Sequence, residues 1–438
     1  MREPMRGAIP EGVRDRLPRE ARLQRWLSGR LSDTFLQWGY REVITPTFEF
    51  VEGVLAGAGV LGRREDLYQL FDRRGATLAL RPDMTTPIAR LVGTRMASEP
   101  LPLRLAYVAP VFRYPRVRAG GAHEVWQAGV ELIGSESALA DAEVVALACQ
   151  SLTAAGLGGF KLGLGHVAFL AGLFEWAGLA ELVVRELKAA LVARDLVGYE
   201  RRLRGAGLDA QTEAVLLALP TFRGDLAAAV AQFGGLGAPS VEKALQDLGQ
   251  VMALLEAAGL AGSVALDLSL CHALDYYTGL IFEGHLPGLG APVLTGGRYD
   301  ALLTEWGGPP SATSGAQTPA ELNSQCPQSL GTGFALELDR VLEALERQGK
   351  LPTLAGPAVV LACEPGKEIQ VMQEATRLRA QGLSVEIDLG GRSGEELAAY
   401  ARQREAGRVA YPGANAPTET EATEQGRPTG RPTVESIH

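Results

Sequence analysis

A long run of Ala, Leu and Gly at helical spacing, from about Ser137 to Leu260, sits between two stretches that alternate like strands. No other feature constrains the fold as much. Ahead of it stand PLRLAYVAPVFRYP and HEVWQAGVELIG; behind it stand SVALDLSL and DYYTGLIFEGH, followed by GGRYD, which reads as a turn. The pattern predicts a helical insertion between two halves of one β-rich unit, with the period changing from 2 to 3.6 and back.

The flanks add detail. Residues 18 to 39 place Leu23, Trp26, Leu27, Leu31, Phe35 and Trp38 on one helical face, closed by Gly39. YREVITP then reads as a strand stopped by Pro46. ATLALRPDMTTPIARLV reads as strand, turn and helix, with Thr85 or Thr86 as cap and Pro87 in the first turn. Residues 307 to 330, rich in Gly, Pro, Ser and Thr, predict a mobile loop before the strand–helix unit GTGFALELDRVLEALE. From Gly356 to about residue 412 the pattern becomes βαβαβ, with helices expected from Lys367 to Gln381 and from Ser393 to Arg404. The remainder, 413 to 438, has no apolar period and reads as a disordered tail.

With 438 residues, 46% hydrophobic and 21% charged, the chain can bury a sizeable core in about three domains. Its four cysteines lie far apart without a CxxC pair, which fits a reducing cytoplasm rather than a disulfide framework. The arginine-rich start leads into no apolar run, so neither a signal peptide nor a membrane span is expected. Five histidines without ligand spacing predict no metal site, and no cofactor is expected. GAGVLG near residue 57 reads as a loop rather than a dinucleotide fingerprint. A net charge of −9 disfavours a broad nucleic-acid surface. Met1 to Val130 nevertheless holds 20 arginines against 14 acids, either an anion-attracting field or a solvated face.

Four segments then carry a specific resemblance: GVRDRLPREA…WGYREVITPTFE, LRPDMTTPIARL, VFRYPRV…EVWQAGVELIG, and LDYYTGLIFEG…GGRYDALL…GTGFALELDRVL. In this order they resemble the catalytic core of the class II histidyl-tRNA synthetase family, over roughly residues 8 to 345. The resemblance implies an antiparallel sheet flanked by helices (an α+β fold), dimerisation through the first motif, and a shortened anticodon-binding-like domain downstream. The segmentation it implies is a core over 1–345, a small α/β domain over 356–412 and the tail.

The matched positions suit a small zwitterion. Asp83 and Glu131 offer acceptors for an ammonium group, Gln127 a bifunctional amide, Thr85 a hydroxyl, and Tyr276 and Tyr277 flat walls with polar tips. Arg113 and Arg340 are the arginines of the second and third class II motifs.

Other positions depart from the synthetase. Its pattern has an arginine before the tyrosine signature; here CHALDYY puts His272 there, a group mostly neutral at pH 7. Gly121 and His123 stand where arginines are expected, and Pro115 replaces an acid. Activation of an amino acid by ATP depends on fixed cations around the α-phosphate, so this half of the site is depleted. LRPDMT, the QAGVELIG strand and the short C-terminal domain look closer to the non-catalytic paralogues that regulate ATP phosphoribosyltransferase. Residues 356 to 412, with 7 basic against 8 acidic residues, make a poor grip for an anticodon.

That resemblance implies a regulatory subunit, not itself an enzyme. It would be a homodimer within a hetero-oligomer with the short-form ATP phosphoribosyltransferase catalytic subunit. L-Histidine would be its effector, without tRNA. Its effector site would comprise Asp83, Thr85, Arg113, Gln127, Glu131, His272, Tyr276 and Tyr277, and Arg113 with Arg340 would be a residual anion site. A divergent histidyl-tRNA synthetase is the alternative, and an amino-acid- or tRNA-binding module with another partner is a third.

Overall fold

The computed structural model describes residues 8–57, 64–114, 122–271, 276–300, 302 and 330–412. They fall into two compact units, one ending at Leu351 and one starting at Pro352. The tail at 413–438, nearly all of the loop expected at 307–330, the Asp275 that opens DYYTGLIFEGH, and the expectations for Pro115, Gly121 and His272 lie outside the described residues.

The first unit is built on an eight-stranded sheet. In spatial order its strands are β1 (Arg41–Glu42), β5 (Leu103–Phe112), β6 (Glu124–Ile133), β11 (Gly331–Glu337), β10 (Leu294–Arg298), β9 (Leu280–His285), β7 (Lys161–His166) and β8 (Val264–Leu266). The inner pairings are antiparallel; only the outermost pairs, β1 with β5 and β7 with β8, run parallel. The halves before and after the helical segment meet where β6 pairs β11, with Glu131 opposite Gly333 and Gln127 opposite Glu337. Pro110 costs β5 no bond, because β1 pairs only with Leu105 and Ala106 on that side.

Alternation along the strands assigns each side chain to a layer. On one face lie Val130, Leu132, Phe334 and Leu336, covered by α1 (Pro18–Gln37), α4 (Ala138–Ala154) and α11 (Leu338–Arg347). α1 buries Leu23, Leu27, Leu31 and Phe35 at the predicted spacing, and Gly39 follows it at φ +81°, a left-handed conformation that glycine adopts without steric cost. On the other face, Leu105, Tyr107 and Tyr299 pack with Met84, Ile88 and Val92 of the segment entering and forming α3 (Thr85–Arg95).

The segment 137–260 is not wholly helical. Its helices, α4 to α10, include α5 (Val167–Trp176), α6 (Glu181–Val192) and α10 (Pro239–Ala257), but Lys161–His166 joins the main sheet as β7. Two further expectations are corrected. SVALDLSL contributes only Val264–Leu266 to the sheet. GGRYD is not a turn at its start: Gly296, Gly297 and Arg298 continue β10. The glycines are there for room, since a Cβ on Gly296 would lie 2.4 Å from the Phe282 ring and 2.6 Å from the Gly333 carbonyl oxygen.

A small antiparallel sheet, β2 (Phe48–Phe50), β4 (Thr77–Leu80) and β3 (Gln69–Phe71), stands apart from the main one. One face packs Ala79 against Val51 and Val54 of α2 (Val51–Gly57). The register puts Phe48, Phe50, Leu70, Leu78 and Leu80 on the other face, where Phe48 and Phe50 are exposed.

The second unit is a three-stranded parallel sheet, β13 (Val385–Ile387), β12 (Val359–Leu361) and β14 (Arg408–Ala410), with α12 (Glu368–Ala380) and α13 (Gly394–Gln403). Both helices fall within a residue of their predicted bounds.

Candidate functional site

α3 begins beneath the face of β6 that carries Gln127, Gly129 and Glu131. The cap of this helix is neither Thr85 nor Thr86, which are its first two residues. Met84 holds the cap position without a side-chain bond, and Asp83 just before it serves the first turn instead: its carboxylate accepts the Thr86 N–H at 2.7 Å. Thr85 is thereby left free to donate its hydroxyl to Glu131 Oε1 at 2.8 Å, while the Tyr299 hydroxyl donates to Oε2. Gly333 makes this arrangement possible, because a Cβ there would lie 2.1 Å from Glu131 Oε2.

These groups line one cavity with Tyr107, Arg113, Gln127, Tyr276 and Tyr277. The Tyr276 and Tyr277 rings lie 4.7 Å apart, and Tyr276 meets Tyr299 edge-on at 6.1 Å. The open volume is about 30 Å³, well below the roughly 300–1,000 Å³ usual for small-molecule sites. Tyr276 and Tyr277 lie ahead of β9 rather than within the strand expected for DYYTGLIFEGH. Leaving the ladder lets both of these consecutive rings reach the cavity, which strand alternation forbids.

The electrostatics are those of a buried acid pair. Burial pushes the Glu131 carboxyl up to about 8, against the pull of its two hydroxyl donors, with Asp83 adding to the rise. Asp83 is also raised by burial, opposed by the Thr86 N–H and the Arg113 guanidinium. The tyrosine hydroxyls at 107, 276, 277 and 299 are all held above their ordinary range, burial being the main cause. Arg113 donates from Nε to the Pro82 carbonyl at 2.7 Å and is the one basic side chain among the described residues lining the cavity.

Six of the eight proposed effector residues other than His272 and Arg113 are thus the acceptors, hydroxyl, amide and rings around this space, and Arg113 stands at its edge. Arg340 does not line it: its Nη1 donates to Pro292 O at 2.6 Å and its Nε pairs with Glu337 at 2.6 Å. His123 is buried against Tyr68 and Tyr114, with its ring bonded to the Tyr68 hydroxyl and its N–H donated to Gly12 O. Tyr107 and Tyr299 were missed from sequence. Tyr299 lies in GGRYD, and only its register beside Gly331 and Gly333 points it at Glu131.

Comparison with known proteins agrees with this architecture. The family model for histidyl-tRNA synthetase matches residues 12–322. A protein of Symbiobacterium thermophilum named ATP phosphoribosyltransferase regulatory subunit is 56% identical over 408 residues, 93% of this chain and 97% of its own length. A protein of the same name from Moorella thermoacetica is 42% identical over 90% of this chain and 96% of its own. The crystal structure of an ATP phosphoribosyltransferase regulatory subunit/histidyl-tRNA synthetase from Bacillus halodurans superposes with a TM-score of 0.78 at 32% identity, covering 94% of this chain and all of that one. Histidyl-tRNA synthetase from Nostoc sp. PCC 7120, at 20% identity, shares the fold with a TM-score of 0.74 over 92% and 90% of the two chains. The chain therefore has the class II histidyl-tRNA synthetase-like fold and belongs to the family of ATP phosphoribosyltransferase regulatory subunits.

Proposed function

We propose that this chain works as a non-catalytic subunit that binds a short-form ATP phosphoribosyltransferase catalytic chain, enables its reaction and makes it sensitive to L-histidine. The observation that carries the reading is a mismatch inside one cavity. Two buried acids, a hydroxyl and tyrosine walls offer an ammonium group and an imidazole their partners, while Arg113 alone supplies positive charge among the described lining residues. Adenylate chemistry needs several fixed cations converging on a phosphate. Arg340 is engaged by Glu337 and Pro292, and His123 is packed among rings, so neither adds to Arg113. Sensing further requires that histidine bind the inhibited assembly more tightly than the active one.

The exposed apolar face carrying Phe48 and Phe50 supports a homodimer through this segment, which falls in the first motif. Phe50→Glu should then yield monomers by sedimentation. No helix among the described residues is long and apolar enough to cross a membrane, and a cytoplasmic site of action without tRNA fits the reading.

The test is reconstitution. Phosphoribosyl transfer by the short catalytic chain should require this chain, and histidine should inhibit the pair. Glu131→Gln should abolish the inhibition while leaving activation in place. Histidine-dependent pyrophosphate exchange by the isolated chain, without activation of the transferase, would instead establish a synthetase.

A further inference from the structure

A second and larger cavity, of about 580 Å³, opens beside β10 on the sheet face opposite the Glu131 pocket, within the range of roughly 300–1,000 Å³ usual for small-molecule sites. Arg298 lines it. The guanidinium binds Asp141 of α4 through Nε at 3.1 Å and Nη2 at 2.9 Å, and Asp300 and the Ser135 carbonyl through Nη1. α10 contributes to the lining, and its Lys243 and Asp247, one turn apart, pair with each other. Glu136 stands at the rim.

His166 also lines it and is about nine-tenths buried. It caps α5: Nδ1 accepts the Ala168 N–H at 3.2 Å, which leaves the ring hydrogen on Nε2 as a donor. Burial pushes this imidazole down to about 4, against an upward pull from Asp247, so it remains a neutral donor at any ordinary pH. The helical bundle and the sheet core therefore meet around a space with both signs of charge on its walls. Nothing in the Glu131 pocket uses these groups.

The charge inventory narrows the ligand. Three carboxylates (Glu136, Asp141, Asp247) face two cations (Lys243, Arg298), an excess of one negative charge. A phosphate-like anion would meet that excess, and an apolar molecule would strip water from every charged wall group without replacing its bonds. A zwitterion satisfies both ends. No group of described residues has the arrangement of a metal site. We infer that this cavity binds a free amino acid, with its ammonium group toward Asp247 and Glu136 and its carboxylate toward Lys243 and the His166 Nε2–H. The inference is independent of what the Glu131 pocket holds.

The two can be tested apart. Thermal unfolding of the full chain carrying Glu131→Gln, which disarms the first pocket, is followed with each L-amino acid in turn, and with inorganic phosphate and ATP. At least one amino acid should raise Tm saturably. Lys243→Met and Asp247→Asn, both on the surface of α10, should each weaken that apparent affinity about tenfold by removing one charge-assisted bond. Ala138→Phe, which fills the space without touching a charge, should abolish it. Stabilisation by no amino acid, by phosphate or ATP only, or undiminished in all three variants overturns the inference. Histidine binding by the unaltered chain that disappears with Glu131→Gln reports on the first pocket alone.

Discussion

The Thr85 hydroxyl donates to Glu131 Oε1 at 2.8 Å, joining the first turn of α3 to the centre of β6 across the pocket. The bond holds a carboxyl whose pKa stands near 8, so at pH 7 most of the protein carries a proton there. An arriving ammonium group favours the ionised form. Histidine binding at pH 7 should therefore release about one proton from this site, beyond any change on the ligand itself. Calorimetry in buffers of different ionisation heat measures the count, and Glu131→Gln should remove that proton.

The same carboxyl leaves a mark on stability. Its folded pKa, about 8, exceeds the ordinary value of 4.5, so the folded chain binds more protons than the unfolded one between those limits. Stability then falls as pH rises from about 4.5 to about 8. Glu131→Gln removes this contribution. The variant's Tm relative to the unaltered chain should climb across that window, and denaturation at pH 5 and pH 8 checks the sign.

Gly333→Ala should act on the pocket through a single methyl group. The added Cβ would lie 2.1 Å from Glu131 Oε2 and 2.4 Å from the Val130 carbonyl oxygen. Relieving the contact displaces either the acid or the strand pairing, at a cost of about 1–3 kcal/mol for overpacking. Chemical denaturation should register the loss, and histidine affinity should drop with it.

Two ion pairs separate burial from mere proximity. Asp141 and Arg298 side chains are 10% and 8% exposed, and Asp141→Ala leaves a buried guanidinium short of its main partner, which costs about 3–5 kcal/mol. Arg14 and Glu20 are 55% and 39% exposed, and Glu20→Ala should change stability by about 1 kcal/mol or less. Urea titration of the two variants makes the comparison.

What was legible in the sequence was whatever depended on local period. The face of α1 and the helices of the C-terminal unit could be read because each periodic residue contacts its own element's neighbours. β7 was hidden by its own glycines: with Gly163 and Gly165 in KLGLGH, one face of the alternation carries only the Lys161 side chain. The carboxylate, hydroxyl and amide of the pocket were found through motifs. Its capping geometry was not, because Asp83 and Thr85 are both plausible caps and only the backbone path puts Met84 at that position. Tyr107 and Tyr299 look like ordinary core residues until the β6–β11–β10 register sets them beside Glu131. His123 could be identified as a missing cation but not as part of a stack with Tyr68 and Tyr114, a contact between distant segments.

Arg298 and Tyr299 are consecutive, yet the first reaches Asp141 on one side of the main sheet and the second reaches Glu131 on the other. Adding or removing one residue in β10 would exchange their destinations, driving a guanidinium toward the tyrosine-walled chamber and a phenol toward the helical bundle. The length of this strand is therefore under double constraint. Natural variation here should take the form of substitutions, and length changes should collect in the neighbouring loops.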